Sequence, residues 1–119
     1  MAVSLLTNTS VTPTVAVNAQ TGTTYTTVIG DGNNTLVTLS NAGAITVTIP
    51  PNSSVPYPVG TVLNFSAIGA GQVSFAQGSG VTIVSTGATA SAPKLRVQYS
   101  SASAIQQSAN SWIIIGDLA

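Results

Sequence analysis

The feature that most restricts how this chain can fold is an apolar spacing of two. Residues 45–49 read Ile-Thr-Val-Thr-Ile. Successive side chains of a strand point to opposite faces, so Ile45, Val47 and Ile49 share one face and Thr46 and Thr48 the other. Further strand candidates precede this one at 12–17, 23–29 and 35–39 and follow it at 61–68, 72–76, 81–85, 94–100, 102–107 and 111–115. Gly, Pro and Asn fill the gaps between them, and no stretch carries the three-to-four spacing of a helix. Asn41 and Gly43 lie between two of these runs as a hairpin candidate, and Ala109-Asn110 as the turn of a closing pair. Gly30-Asp31-Gly32-Asn33 reads as a tight turn. About nine short strands with turns at this density predict an all-β fold, a β-sandwich or jelly-roll-like barrel without significant helix.

The chain has 119 residues, which suits one domain. Alternation is weak through residues 1–11, which read as an N-terminal arm with apolar weight at Val3, Leu5 and Leu6; residues 12–119 form the single β domain. An ordered arm on a small domain lies against something, and a neighbouring copy is one candidate. The segment from Pro50 to Pro58 reads as a crossover, because proline cannot donate to a strand ladder. In the last strand, Trp112 and Ile114 face one way and Ile113 and Ile115 the other. Both faces are apolar, so this strand is expected to be covered on both sides.

Composition excludes most chemistry. The chain has no Cys and no His, so it lacks disulfides, thiolate ligands, the commonest general base and the commonest metal ligand. Its only charged side chains are Asp31, Lys94, Arg96 and Asp117. A serine nucleophile would have only Lys94 as its base. Asp31 and Asp117 could in principle act as a glycosidase carboxylate pair. Asp31, however, sits in a Gly-rich turn, where Asp is common for local hydrogen bonding, and Asp117 is almost terminal. Catalytic, cofactor and metal sites are therefore expected to be absent. Two basic residues cannot supply the phosphate contacts that dominate nucleic-acid affinity.

No apolar run approaches the ~20 residues of a membrane helix, and six aromatic residues are too few for the girdles of a membrane barrel. The N-terminus lacks the basic and apolar regions of a Sec signal. The chain reads as soluble and made in a cytoplasm, its solubility resting on fifteen Ser and seventeen Thr with many Asn and Gln. The charged residues offer one constellation. Lys94 and Arg96 lie two apart and share a strand face, and Asp117 follows a strand that could lie beside them. Exposed charges worth little to stability are the plainer reading.

Several segments together carry a resemblance. They are Ile49-Pro-Pro-Asn-Ser-Ser, Pro58-Val-Gly-Thr, the run from Gly69 to Ile83, Lys94-Leu-Arg-Val-Gln-Tyr-Ser, and Ser111-Trp-Ile-Ile-Ile-Gly-Asp-Leu. Over residues 35–118 the chain resembles β modules of tailed-bacteriophage virion proteins, among them capsid decoration (cement) proteins and tail-fibre segments. The resemblance implies a virion protein made in the bacterial cytoplasm and placed on the capsid surface. Its size suits a decoration protein, a family that often forms trimers over junctions of the capsid lattice. The implied partners are further copies of the chain, as a homotrimer, and the major capsid protein, with no nucleic acid or membrane. Under this reading the candidate subunit and capsid contacts are Val3, Leu5, Leu6, Lys94, Arg96 and Asp117. The alternative is a tail-fibre or spike protein binding a host-surface glycan, with Tyr57 and Trp112 as candidate contacts.

Overall fold

A computed structural model describes residues 14–119. The expected arm, with Val3, Leu5 and Leu6, lies outside the described residues, as does the start of the strand expected at 12–17. The described chain is almost wholly strand and loop. Its elements are β1 (Ala16–Gln20), β2 (Thr24–Thr26), a 3-10 turn (Ile29–Gly32), β3 (Thr35–Leu39), β4 (Ile45–Ile49), β5 (Val62–Ala67), β6 (Val73–Gln77), β7 (Thr82–Ser85), β8 (Ser101–Ser108) and β9 (Ser111–Gly116). The all-β expectation with little helix therefore holds.

The connectivity differs from the hairpins of a sandwich or jelly roll. One sheet has six strands in the order β1-β3-β5-β8-β9-β7, and the other has three in the order β2-β4-β6. From β1 to β6 the chain alternates between the sheets, and each strand lies parallel to the one a coil earlier. The result is a short solenoid of three coils. It ends in antiparallel pairs, β5 with β8 and β8 with β9, while β7 lies parallel to β9 at the far edge.

The Asn41–Gly43 segment is thus a corner between sheets, not a hairpin turn. Successive corners stack on one another. Asn41 Nδ2 donates to Thr21 O at 2.8 Å, and Gly71 N donates to Asn41 O at 2.8 Å. The stack is so close that a Cβ on Gly71 would stand 1.8 Å from Gly43 O. On the opposite side Pro50 ends β4, and Gly78 N bonds back to Ile49 O at 2.9 Å. The turn expected at Ala109-Asn110 is present between β8 and β9, with Asn110 at φ 58°.

The strand expected at 94–100 is reduced to bridges. Lys94 pairs with Ser74 beside β6, and Leu95 pairs with Leu118. The chain then turns at 97–100, where Ser100 N bonds to Val97 O at 3.0 Å. The first strand is also shifted: β1 takes in Asn18 and Gln20, residues expected to lie in a connector.

Alternation supplies the core as the sequence predicts. Val37 and Leu39 of β3, Leu63 and Phe65 of β5, and Trp112 and Ile114 of β9 point inward from the larger sheet. Ile45, Val47 and Ile49 of β4 and Val73 and Phe75 of β6 meet them from the smaller one. Phe65 and Phe75 join the sheets edge to face at 5.0 Å, and Tyr57 from the Pro-rich crossover packs edge-on to Trp112 at 5.4 Å. The expectation that β9 is covered on both sides is only half met. Trp112 is fully buried, but Ile115 on the other face is 49% exposed, because none of the described residues packs over that side.

Candidate functional site

Three places in the fold hold chemistry or surface worth weighing. The first is the end of the solenoid formed by β1 and β2. Here the inward positions are polar: Asn18 and Gln20 on β1 align with Val37 and Leu39 of β3, and Tyr25 on β2 aligns with Val47 of β4. Asp31, in the 3-10 turn, is 1% exposed. Its carboxylate accepts from the Tyr25 hydroxyl at 2.6 Å, Asn18 Nδ2 at 2.9 Å and Val28 N at 3.0 Å. Gln20 Nε2 extends the chain of bonds to Asn18 Oδ1 at 2.7 Å. Burial, and the hydrogen bond to the Asp31 carboxylate, push the Tyr25 hydroxyl well above the usual phenol range. Three donors aimed at one carboxylate make a closed structural network that ends the apolar core. The reading of Asp31 as a locally bonded turn residue captures one of these bonds and misses the other two, because Asn18 and Tyr25 reach it through the coil winding.

The second place is the charged cluster. Arg96 Nε donates to Asp117 Oδ1 at 2.7 Å and Nη2 to Oδ2 at 3.0 Å, a bidentate pair. Ser100 Oγ donates to the same carboxylate at 2.7 Å. These bonds hold the Asp117 carboxyl below the usual carboxylate range, and the same carboxylate raises the Arg96 guanidinium. Both side chains are about half exposed, and this is the only ion pair among the described residues. Lys94 stands outside it; its backbone, not its ammonium, ties the C-terminal segment through Ala119 N at 2.9 Å. The cluster therefore joins two of the three residues expected together and pins residues 95–96 to 117–118. Asp31 and Asp117 belong to separate networks, so no carboxylate pair is formed between them.

The third place is the outer face of the six-stranded sheet. By register, Val62 lies beside Ile105, Ile105 beside Ile113, and Ile113 beside Val84. This is an apolar row across four strands, β5-β8-β9-β7. A second row runs from Val17 and Leu36 through Asn64 and Ser103 to Ile115. Along it lies a shallow groove of about 560 Å³, lined by Val15, Leu36, Asn64, Ser66, Ser103 and Ile115. Val17 is 62% exposed. No charged side chain lies on the strands of this face. The alternation of the last strand predicted apolar side chains on both its faces; it could not show that the outward side would be left uncovered by the described residues.

Tyr57 and Trp112, the candidate glycan contacts, are both buried and present no face to a ligand. Tyr57 is held inward by its hydroxyl, which donates to Val28 O and accepts from Thr27 Oγ1, both at 2.8 Å. The exposed aromatic is Tyr99, 72% accessible at the tip of the 97–100 turn. Its φ of 71° is unusual for a bulky side chain. Tyr99 N donates to Ala67 O at 2.6 Å, and Gln98 Nε2 to Ile68 O at 2.9 Å, so the turn is fastened to the end of β5. A positive φ at a Tyr has no sequence signal, which is why this residue escaped notice. No protein-family model matches the chain, and no curated protein matches it in sequence.

Proposed function

We propose that this chain is a structural protein of a bacteriophage virion, acting as a capsid decoration (cement) protein that stabilises the shell by bridging neighbouring capsid subunits. The observation that carries the reading is the broad, uncharged and partly apolar outer face of the six-stranded sheet, on a chain with four charged side chains in all. A protein packed at hundreds of copies on one shell repeats any net charge at every site, and like charges repel. A neutral surface of hydroxyls and small apolar groups avoids that cost and packs with little dependence on salt. The resemblance of residues 35–118 to virion β modules points the same way. Two sheets facing one core suit the sandwich half of the expected architecture, with parallel coils in place of Greek-key hairpins. The partners in this reading are further copies of the chain, as a homotrimer, and the major capsid protein. Electron cryomicroscopy of the virion tests it: density for this fold on the shell lattice supports the reading, and density at the tail, or none, overturns it.

One observation favours a second reading, a tail-fibre or spike protein that binds a host-surface glycan. Tyr99 is held out to solvent on a strained, hydrogen-bonded turn, and strain of this kind collects at binding sites. Loss of binding to host cells on Tyr99→Ala, with an unchanged melting temperature, would favour it over the cement reading.

A further inference from the structure

We infer that the outer face of the six-stranded sheet is where this chain meets a second copy of itself, an inference that rests on the many-copy reading above. The face carries the Val62–Ile105–Ile113–Val84 row and the groove beside Asn64, Ser103 and Ile115. Val17, Val84 and Ile115 are each at least 41% exposed on it. Apolar surface gathered in register across adjacent strands differs from the scattered exposed side chains of an ordinary surface.

The charge pattern selects the occupant. About a quarter of an ordinary globular domain's residues are charged. A partner of that kind would bring charges against Val, Ile and Ser, where they would lose hydration and find no counter-charge. The face of an identical copy matches it in both respects, with no charge to desolvate and apolar rows to cover. The polar middle of the second row is already satisfied in part within the chain, since Ser103 Oγ donates to Asn64 Oδ1 at 2.7 Å. It can therefore be covered without leaving those atoms unpaired. None of the six strands of this face carries a charged side chain, so two copies brought together strand against strand juxtapose no like charges within the rows.

The absence of Cys makes the test clean. Native mass spectrometry and analytical ultracentrifugation would be run on the full chain, on Ile115→Lys and on Val84→Lys. In parallel, the thiol reactivity of Ser103→Cys would be compared with that of Ser53→Cys, which lies in the exposed crossover. The expected result is an oligomer whose dissociation constant rises at least tenfold in both lysine variants, with the Ser103→Cys thiol protected until the oligomer is diluted apart. Near-ultraviolet circular dichroism of Trp112 reports whether each variant stays folded; should a lysine variant unfold, the thiol comparison decides alone. An oligomer that persists in folded lysine variants with a freely reactive Ser103→Cys thiol overturns the assignment of this face but leaves the virion reading standing. A monomer at all concentrations overturns the inference, while the location of the chain on the particle still judges the virion reading separately.

Discussion

Gly71→Ala tests the solenoid winding directly. In the structure the Gly71 corner sits on the Gly43 corner of the preceding coil, and an added Cβ would lie 1.8 Å from Gly43 O, 2.5 Å from Gly43 C and 2.7 Å from Asn41 O. The obstructing atoms are backbone, so no side chain can swing aside. Ordinary contact requires the corners to separate by roughly 1.5 Å. That movement stretches the 2.8 Å bond from Gly71 N to Asn41 O and the 2.9 Å bond from Ile45 N to Gln72 O. Two weakened hydrogen bonds cost about 1 kcal/mol each, and overpacking adds about 1–3 kcal/mol. The total is about 3–5 kcal/mol, a large share of a typical stability of about 5–15 kcal/mol. Urea unfolding followed by circular dichroism measures it. At a slope of about 1–3 kcal/mol/M the midpoint should fall by about 1–5 M. Gly30→Ala is the control: nothing lies within 4 Å of its added Cβ, and a change within about 0.5 kcal/mol is expected. A Gly71→Ala loss under about 1 kcal/mol would refute the stacked corners and restore the hairpin reading of residues 35–49.

Three further outcomes follow from the core, the buried network and the titrating groups. Trp112→Ala removes a fully buried ring packed on Tyr57 and should cost about 3–5 kcal/mol by chemical denaturation; a loss near zero would place the ring at the surface. Asp31→Asn turns one acceptor into a donor among three donors and should cost about 1–3 kcal/mol, read as a lower melting temperature; an unchanged melt would mean the network carries no weight. Thermal melting should be flat from about pH 5 to pH 9, since no His or Glu titrates there. Below that window stability falls, because the Asp117 carboxyl is held low in the fold, so its contribution is present above the unfolded pKa and lost as pH drops through the folded one. Above about pH 10 stability falls again, because Tyr25 and Tyr57 are raised and the unfolded chain loses their protons first; a melt that rose between pH 10 and pH 11 would contradict this.

Alternation in the sequence reports which side chains share a face. It does not report which strand lies alongside. Ile45, Val47 and Ile49 were therefore legible as core residues, while the parallel partners of their strand were not. A regular repeat would have betrayed the winding, but the coils differ in length: Ala16 pairs with Thr35, 19 residues on, and Leu36 with Asn64, 28 residues on. The Pro-rich crossover before β5 accounts for the longer coil. The Arg96–Asp117 pair was within reach of the sequence because so few charges exist to be paired. The Asp31 network was not, since Asn18 and Gln20 read as turn residues and only the fold turns them inward. Trp112 and Tyr57 show the converse limit: an aromatic residue suits a glycan platform and a core equally well, and burial separates the two.

The most direct test of the virion assignment is the copy number of this chain per purified particle, measured by quantitative mass spectrometry against the major capsid protein. The cement reading predicts a fixed ratio to the capsid protein and hundreds of copies per particle. A handful of copies would move the chain to the tail, and its absence from particles would contradict the account.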